Sequence, residues 1–535
     1  MTVPEVEAQP QDEAGPQDEA PSRRWFRRER HGRHESHRHV DTDDAPQQEV
    51  ADLLDAEAVA EPTDDEEAAE VEADRGSLLH QLTRPTAWVP YLLFLIYLVP
   101  YNLLSQLRLY RHEPMSLDLA LFEQAVKRYA HFQAPIVNLK GSGYNLLGDH
   151  FHPMLAVLAP VYRVFPYPQT LLACQAFLIA LSIVPVTRAA IRITGLAAGT
   201  CVGLAYGLSF GLQTAVNFDF HEICIAVPLL AFSLEAFLRR RWIVCVLWAV
   251  PLIGVKEDLG LTVAALGVSL FLVRKRLLGL LVAIGGVLSF LLVIFVLIPA
   301  LNPHHHYDYM SMANKPGTSW WTTIRDMFHG KPKLYTLLFV FGCVAFTVLL
   351  SPLAVMTLPT FGWRFVSQNT NDWGTAFHYD AVLMPIVFLG TLDVIARMRK
   401  ARWGWVRAYA THLPAVLLVL SIMITNQFPF KAFIDPATYK TNVRQAAWQG
   451  ALDAIPDGVM VESDQSLATY LVHRDDVYWI GDTAGKVPDY IVIDIDGNPS
   501  PPPDLGTYGE SMHPGNKFGV VYMNYGYVVL HHVAN

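Results

Sequence analysis

Charged residues are scarce in this chain. Asp, Glu, Lys and Arg make up 17% of its 535 residues, whereas 52% of the residues are hydrophobic. Between about residues 86 and 427 the hydrophobic residues form runs of roughly 14 to 24, long enough to cross or nearly cross a hydrocarbon layer of about 30 Å. A water-soluble core would interrupt such runs with polar faces. The composition therefore excludes an ordinary soluble protein and predicts a mainly α-helical, polytopic membrane protein.

Cysteine is scarce as well. No two cysteines have the spacing of metal ligands, and all of them lie within or beside apolar runs, which predicts small core residues and excludes a disulfide framework. The five cysteines are Cys174, Cys201, Cys224, Cys245 and Cys343.

The net negative charge of the chain, −10 overall, is concentrated in the first 80 residues, in acidic stretches such as Asp64–Glu67. These residues contain little that could build a core, so residues 1–80 are predicted to be a disordered cytoplasmic segment. A basic, His-rich patch inside it, Arg23 to His39, fits either attachment to anionic lipid headgroups or a solvated tail. No cleavable signal peptide is expected, because the first apolar run begins only after Pro85.

The arginines orient the membrane spans. About 11 spans are predicted between residues 86 and 427, with nine or ten as the alternatives. With the N-terminus in the cytoplasm, the main arginine clusters all fall on the cytoplasmic side, as the positive-inside rule expects. The turn at Ser351-Pro352 is the exception, because it carries no positive charge of its own. The predicted spans are Trp88–Leu104, Gln169–Ala190, Leu196–Ala215, Ile223–Leu238, Trp242–Val255, Leu259–Val273, Leu277–Ala300, Lys333–Leu350, Leu353–Val366, Ala381–Ala396 and Leu413–Asn426.

The C-terminal residues 428–535 differ from the rest in pattern. Gly458–Glu462 and Asp489–Asp494 are typical of short buried strands, and a helix over Gln465–Val472 follows the first. Phe518–Leu530, rich in Val and Tyr, predicts a hairpin. The sequence therefore predicts a small extracytoplasmic α/β domain.

Under this topology the outer loops collect ionisable residues. Carboxylates, imidazoles and a lysine around one outward-facing cavity could deprotonate a hydroxyl and stabilise a phosphate leaving group, or could form an ion or proton pathway. The loops also include His304–Asp308, where three consecutive histidines suggest a metal site but fit a solvated loop better, since they cannot easily all point at one ion. The other candidates are Asp118, His150, His152, His221, Glu222, Lys256, Glu257, Asp258, His378 and Tyr379.

Lys256-Glu257-Asp258 is the hardest of these motifs to explain structurally. Its flanking spans of ~14 and ~15 residues give roughly 21–23 Å of helix, less than the hydrocarbon thickness. The turn is therefore predicted to lie below the outer membrane surface, where ionisable groups are costly and face a cavity or a partner. An internal ion pair between the lysine and a carboxylate is the structural alternative.

Two other candidates also have structural explanations. A carboxylate at Asp118 would lie in the first turn of an amphipathic helix running to about Phe132, where the helix dipole favours it. His152 precedes Pro153, a good first helical residue, so it fits a helix boundary.

Five short motifs occur in order along the outer loops: Ser116-Leu117-Asp118, Asp149-His150-Phe151-His152-Pro153, Phe220-His221-Glu222, Lys256-Glu257-Asp258 and Phe377-His378-Tyr379. In these motifs the chain resembles the bacterial and archaeal membrane family called domain of unknown function 2079. The resemblance runs from about residue 90 to about residue 495, with Arg474 and Asp489-Tyr490 in the outer domain, and excludes the acidic N-terminal segment.

That family is similar to the GT-C glycosyltransferases, membrane enzymes that take a sugar from a polyprenyl-phosphate donor. The resemblance implies that Asp118 deprotonates the acceptor hydroxyl, with His150 and Glu222 as further catalytic residues. The other candidates would bind substrate, and Glu222, Glu257 and Asp258 would orient the acceptor or hold a divalent cation. The expected partners are membrane lipids and the lipid-linked donor, without nucleic acid.

Two alternatives use the same residues. A transporter or flippase for a lipid-linked or anionic solute needs buried charges but changes no covalent bond, and the lack of an evident inverted repeat disfavours it. An envelope-assembly scaffold would bind a partner through its outer domain and tolerate charge substitutions in the cavity.

Overall fold

The computed structural model describes residues 84–533, apart from residues 114–115, 311–319, 328, 441–442, 498–501 and 503. The predicted segment 1–80, with its basic patch, lies outside the described residues. The chain is mainly helical, as predicted. Its helices are α1 Pro85–Tyr110, α2 Asp118–Ala130, α3 Ala159–Val164, α4 Pro168–Leu181, α5 Ile183–Thr194, α6 Leu196–Gly207, α7 Phe210–Asn217, α8 Ile223–Leu238, α9 Trp242–Ala249, α10 Leu259–Leu272, α11 Arg276–Leu292, α12 Ile298–Leu301, α13 Trp320–Met327, α14 Lys331–Gly342, α15 Leu358–Val366, α16 Leu383–Met398, α17 Gly404–Thr425, α18 Gln445–Asp453, α19 Gln465–Leu471 and α20 Leu505–Met512.

Six helical segments in the described residues are long and apolar enough to cross a membrane: Pro85–Tyr110, Pro168–Thr194, Leu196–Asn217, Arg276–Leu301, His378–Met398 and Gly404–Thr425. Each coincides with a predicted span. Four shorter apolar segments are Pro153–Val164, Ile223–Leu238, Trp242–Gly254 and Leu259–Leu272. The chain is therefore a multi-pass membrane protein, and the count of about 11 spans stays a prediction.

Several predicted spans are interrupted helices. The span from residue 196 breaks at Leu208 into α6 and α7, and the span after α8 tightens from α9 into a 3₁₀ turn over Val250–Gly254. A 3₁₀ turn has a longer rise per residue and poorer hydrogen bonds than an α-helix. The Lys256 turn thus follows an α-helix of only eight residues, and its depth below the outer membrane surface stays a prediction.

The arginine clusters meet at one end of the bundle, which we call the arginine end. Glu235, near the end of α8, binds both Arg188 and Arg239, the latter at 2.8 Å. Arg399 donates to the carbonyl oxygen of Ile193 at 2.7 Å. The relative directions of these spans therefore agree with the predicted topology.

The Ser351-Pro352 turn also lies at the arginine end. Arg397 of α16 donates to the carbonyl oxygen of Leu350 at 2.6 Å, and the Ser351 hydroxyl donates to Asp393 at 2.8 Å. The turn has no charged residue of its own, and the guanidinium of Arg397 from another helix binds it instead.

The C-terminal residues form a five-stranded sheet in the order β2-β1-β3-β5-β4. Strand β1 is parallel to β2 and β3, whereas β5 is antiparallel to β3 and β4. Tyr525 and Gly526, both with positive φ, join β4 to β5, as in the tight turns that match strand twist. The predicted strands, helix and hairpin are confirmed, and β2 is an additional strand. The strands are β1 Met460–Ser463, β2 Asp476–Trp479, β3 Tyr490–Asp494, β4 Lys517–Asn524 and β5 Tyr527–Val533.

The sheet buries both faces. Val461, Val477 and Val492 on one face join α18, α19 and the core of the membrane helices. Ile491 and Leu530 on the other face pack with residues of α20 in a separate small core. The C-terminal domain is therefore packed directly onto the membrane domain.

Candidate functional site

Asp118 is the first residue of α2, an amphipathic helix that follows the predicted bounds closely. One carboxylate oxygen of Asp118 lies 3.2 Å from Nε2 of His221, and 35% of the Asp118 side chain is exposed. The start of this helix is tied down by Ser116, whose amide and hydroxyl both donate to Asp219, at 2.6 and 3.0 Å. The carboxylate is thus held in place and open to a ligand.

Asp118 and His221 form a carboxylate–imidazolium pair. Nδ1 of His221 faces the carbonyl oxygen of Asp219 at 3.1 Å while Nε2 faces Asp118, so both ring nitrogens face acceptors. Burial alone would raise the pKa of Asp118, but His221, the Ser116 hydroxyl and Lys256 hold that pKa well below its usual value. Burial would lower the pKa of His221, yet Asp118 and Glu222 raise it.

His378 packs against this pair. Its ring is stacked on the ring of His221, with centroids 3.7 Å apart and planes at 22°. His378 is buried, and its Nδ1 has no hydrogen-bond partner among the described residues. Loops 116–118, 219–222 and 378–380, which are far apart in sequence, therefore meet at one point.

Lys256 and Glu222 form the second part of the site. Lys256 Nζ lies 2.9 Å from Glu222, and their side chains are only 15% and 2% exposed. Asp258, two residues further on, has a buried carboxylate oxygen without a hydrogen-bond partner in the part of the chain that the structure describes. The predicted turn is thus buried, and the structural alternative of an ion pair is also realised, with a partner from another loop.

Glu257 turns away from Lys256 and holds His150. It accepts hydrogen bonds from His150 Nδ1 at 2.6 Å, from the Phe151 amide at 3.2 Å and from the Tyr307 hydroxyl at 3.0 Å. The His150 ring also stacks on Tyr309 at 4.6 Å. Because Nδ1 is committed to Glu257, Nε2 is the nitrogen left for a ligand, and 24% of the His150 side chain is exposed.

The two remaining candidates lie at the edges of this cluster. His152 is buried and precedes the 3₁₀ helix Pro153–Leu158, which confirms it as a boundary residue. Burial lowers the pKa of His152 to about 4, so its ring is neutral. Tyr379 packs on Trp363 and lies under the guanidinium of Arg364.

We call the end of the bundle that carries these loops the site end. Helix α8 begins after Glu222 and ends before Arg239, so the site end and the arginine end are separated by the length of that helix, about 24 Å at 1.5 Å per residue.

Two of the three carboxylates that were expected to hold a divalent cation have protein partners in this arrangement. Three donors occupy Glu257 and a lysine occupies Glu222, and no group of three or more His, Cys, Asp or Glu side chains in the described part of the chain could hold a metal ion. His304 and His306 lie near Asp308 and are largely exposed, which confirms the predicted solvated loop.

Sequence reasoning missed the two tyrosines of that loop. Tyr307 donates to Glu257, which binds His150, and Tyr309 stacks on the His150 ring, although the loop was predicted to be merely solvated. The two tyrosines flank Asp308, and their rings lie on one side of the chain, 5.6 Å apart. This alternation was the only sequence signal that they could contact the site. The depth to which the loop reaches could not be inferred from it.

Comparison with known proteins places this geometry in a family. The family model described as "Predicted membrane protein (DUF2079)" matches residues 108–518. The chain belongs to this family. The match covers every motif of the site, and no curated protein sequence matches the chain significantly.

The fold is similar to that of ArnT from Cupriavidus metallidurans. The structure of ArnT bound to undecaprenyl phosphate has a TM-score of 0.53 at 16% identity and covers 84% of this chain and 99% of ArnT. The apo form gives 0.51 at 15% identity, with 83% and 98% covered. An Archaeoglobus fulgidus oligosaccharyltransferase scores 0.41 at 11% identity, covering 75% of this chain and 70% of that one. The ArnT likeness confirms the GT-C-like fold that the sequence motifs implied.

Proposed function

We propose that this protein is a membrane glycosyltransferase that uses a polyprenyl-phosphate-linked sugar as donor, on the extracytoplasmic face. The similar ArnT structure holds undecaprenyl phosphate, a lipid of the donor's class. In this proposal the site end faces away from the cytoplasm and the arginine end faces it, as the positive-inside rule favours.

One observation carries the proposal: a partly exposed carboxylate and a buried lysine occupy the same cluster. The charge of Lys256 is close enough to Asp118 to contribute to its low pKa. A carboxylate beside a fixed positive charge is what transfer of a sugar from a phosphate needs, because the acceptor loses a proton while the leaving phosphate gains negative charge.

The reaction would proceed in one displacement. The acceptor hydroxyl gives its proton to Asp118 while its oxygen forms a bond to the anomeric carbon. The bond between that carbon and the phosphate oxygen breaks, and its electron pair leaves with the polyprenyl phosphate. Lys256 and Nε2 of His150 stabilise the departing phosphate, and attack from the opposite side inverts the anomeric centre.

The remaining residues act through these groups. Glu222 neutralises and orients Lys256, and Glu257 with Tyr307 orients His150. His221 and His378 hold the Asp118 carboxylate in position. His152, Asp258 and Tyr379 would line the space for substrate.

The test is turnover in nanodiscs with a panel of polyprenyl-phosphate sugars. Asp118→Asn should abolish transfer while the protein stays folded, with a Tm within a few degrees of the wild-type value, whereas Asp393→Asn, a carboxylate at the arginine end, should transfer at the wild-type rate. Transfer retained in Asp118→Asn would remove this residue as the base. Movement of a lipid-linked solute between leaflets without turnover would support a flippase instead, and tolerance of all cavity substitutions would support a scaffold.

A further inference from the structure

A polar cavity, separate from the candidate site, lies between the C-terminal end of α2 and the C-terminal domain. Its volume is about 390 Å³. Lys127, Arg128 and His131 line it from the α2 side, and Arg474, Asp475 and Asp476 line it from the domain. The cavity is lined mainly by charged and amide side chains, which suits a polar ligand.

The cations on the α2 side have uncommitted donors. Lys127 donates to the carbonyl oxygens of Val472 at 2.7 Å and Asp475 at 3.3 Å, and Arg128 donates to Gln133 at 3.0 Å. Lysine has three N–H donors and arginine has five. Neither forms an ion pair with a carboxylate in the described chain, so their charges are not neutralised by direct contact.

Both carboxylates of the cavity already have partners within the protein. Asp475 accepts from the amide of Gly458 at 2.9 Å and pairs with Arg474 at 3.3 Å. Asp476 accepts from Asn138 at 3.1 Å. Arg474 also pairs with Asp457 at 2.6 Å, so the cavity's cations without an ion pair among the described residues are Lys127 and Arg128. Their uncommitted N–H donors give the α2 side of the cavity its excess of donors.

We propose that this cavity binds an anionic group, a phosphate or a carboxylate, through Arg128, Lys127 and His131. Nδ1 of His131 lies 2.8 Å from the carbonyl oxygen of Lys127, so this nitrogen carries a hydrogen, and the imidazolium form also offers Nε2–H to an anion. A charged ligand held by guanidinium and ammonium groups forms the stronger class of hydrogen bond. The last turn of a helix favours basic residues by itself, and the experiment separates that role from ligand binding.

The position of the cavity would connect the ligand to the site. Asp118 lies at the other end of the same helix, nine residues from Lys127, about 13 Å along the axis. An anion bridging α2 and the C-terminal domain would hold this helix in place. The connection between the bound anion and the candidate site rests on the proposed function, whereas anion binding in the cavity does not.

The experiment is calorimetric titration of the full chain in nanodiscs with inorganic phosphate, with an oligosaccharide of hexuronic acids and with a neutral oligosaccharide of equal length. At least one anion should bind saturably, and the neutral sugar should not; the anion that binds identifies the source. Arg128→Gln should weaken binding at least about tenfold, since arginine contributes charge and several donors, and Arg128→Lys should restore part of it.

Lys517→Gln is the matched control. Lys517 begins β4, at the opposite edge of the sheet from β2, and its loss should leave anion binding unchanged. Asp118→Asn should also bind as the wild type does, so a failed transferase hypothesis would leave this result intact. No anion binding, equal binding of the neutral sugar or equal affinity in Arg128→Gln would overturn the proposal and leave Lys127 and Arg128 as helix-terminal residues.

Discussion

The two ends of the membrane domain use charge in opposite ways. At the arginine end, Glu235 is shared by Arg188 and Arg239, whose side chains are 33% and 35% exposed. At the site end, Glu222 has a single cationic partner among the described residues, Lys256, and this lysine is mostly buried. Glu235 and Glu222 are both buried, but the arginines that pair with Glu235 are partly exposed, whereas the lysine that pairs with Glu222 is mostly buried.

This difference distinguishes charged residues that orient the helices from charged residues that belong to the candidate site. Partly exposed arginines that share one carboxylate cost little and can orient a helix in the membrane. A buried lysine–glutamate pair carries a desolvation penalty that its attraction only partly offsets, so a purely structural role would be served as well by apolar side chains. Burial and partner number, rather than charge count, therefore mark the candidate site.

The largest expected effect is that of Lys256→Met. It leaves Glu222 buried without a cation, which should destabilise the protein by about 3–5 kcal/mol and reduce transfer by at least about 100-fold. Arg239→Met leaves Glu235 its second arginine and should cost about 1 kcal/mol or less. Chemical unfolding and turnover in the same detergent measure both.

A double variant distinguishes the lost charge from the lost chemistry. Lys256→Met with Glu222→Gln removes the unpaired carboxylate, so most of the stability should return while transfer stays lost. If transfer returned together with stability, Lys256 would be only a structural cation.

Tyr307→Phe should have the next largest effect. It removes one of the three donors to Glu257 and loosens the orientation of His150. A lost hydrogen bond of about 1–1.5 kcal/mol corresponds to roughly a tenfold fall in kcat. Tyr335→Phe, an exposed tyrosine of α14, is the control, and equal rates for the two variants would contradict the positioning role.

Gln124→Leu tests how firmly the C-terminal domain holds α2. Gln124 donates to the carbonyl oxygen of Val477 at 2.7 Å and accepts from the amide of Leu139 at 3.2 Å. Its loss should raise hydrogen exchange throughout α2 and lower kcat by about three- to tenfold, because both backbone groups lose a partner. Ser351→Ala removes a side-chain hydrogen bond at the arginine end and should leave exchange in α2 unchanged.

The smallest effect concerns pH. The pKa of Asp118 is lowered from 3.8, so its contribution to stability is present above that value and is lost as the pH falls. The pKa of His221 is raised from 6.5, so its contribution is present below that value and is lost as the pH rises through the folded pKa. The Tm difference between wild type and His221→Gln should therefore be largest near pH 5–6, by a few degrees, and shrink by pH 9. A flat difference would exclude the ion pair.

Sequence patterns were sufficient for the helices and insufficient for the breaks in them. Ile223–Leu238 was predicted to the residue because a mostly apolar run, with Glu235 near its end, begins after Glu222 and stops at Arg239. The break at Leu208 occurs inside an apolar run, where hydropathy does not change. Strand β2 is only four residues long, and it is defined by its pairing with β1 rather than by its own pattern.

The candidate site shows the same limit. The motifs predicted that these loops would carry ionisable groups together, and the structure brings most of them into one cluster. The partners were not predictable, because Lys256 and Glu257 are neighbours in sequence yet pair with Glu222 and His150 from different loops. The partner of each side chain depends on the direction in which that side chain points from the buried turn. The amino-acid sequence alone does not determine this direction.

The Ser351-Pro352 turn has a consequence for biosynthesis. Its stabilising guanidinium comes from Arg397, 47 residues after Leu350, so α14 and α15 are made well before the charge that holds their turn. A turn without its own arginine has no retention signal on that side of the membrane while it emerges from the ribosome. Its direction across the bilayer would therefore be settled only when α16 arrives, and a chain stopped after Val366 would lack the residue that holds the turn.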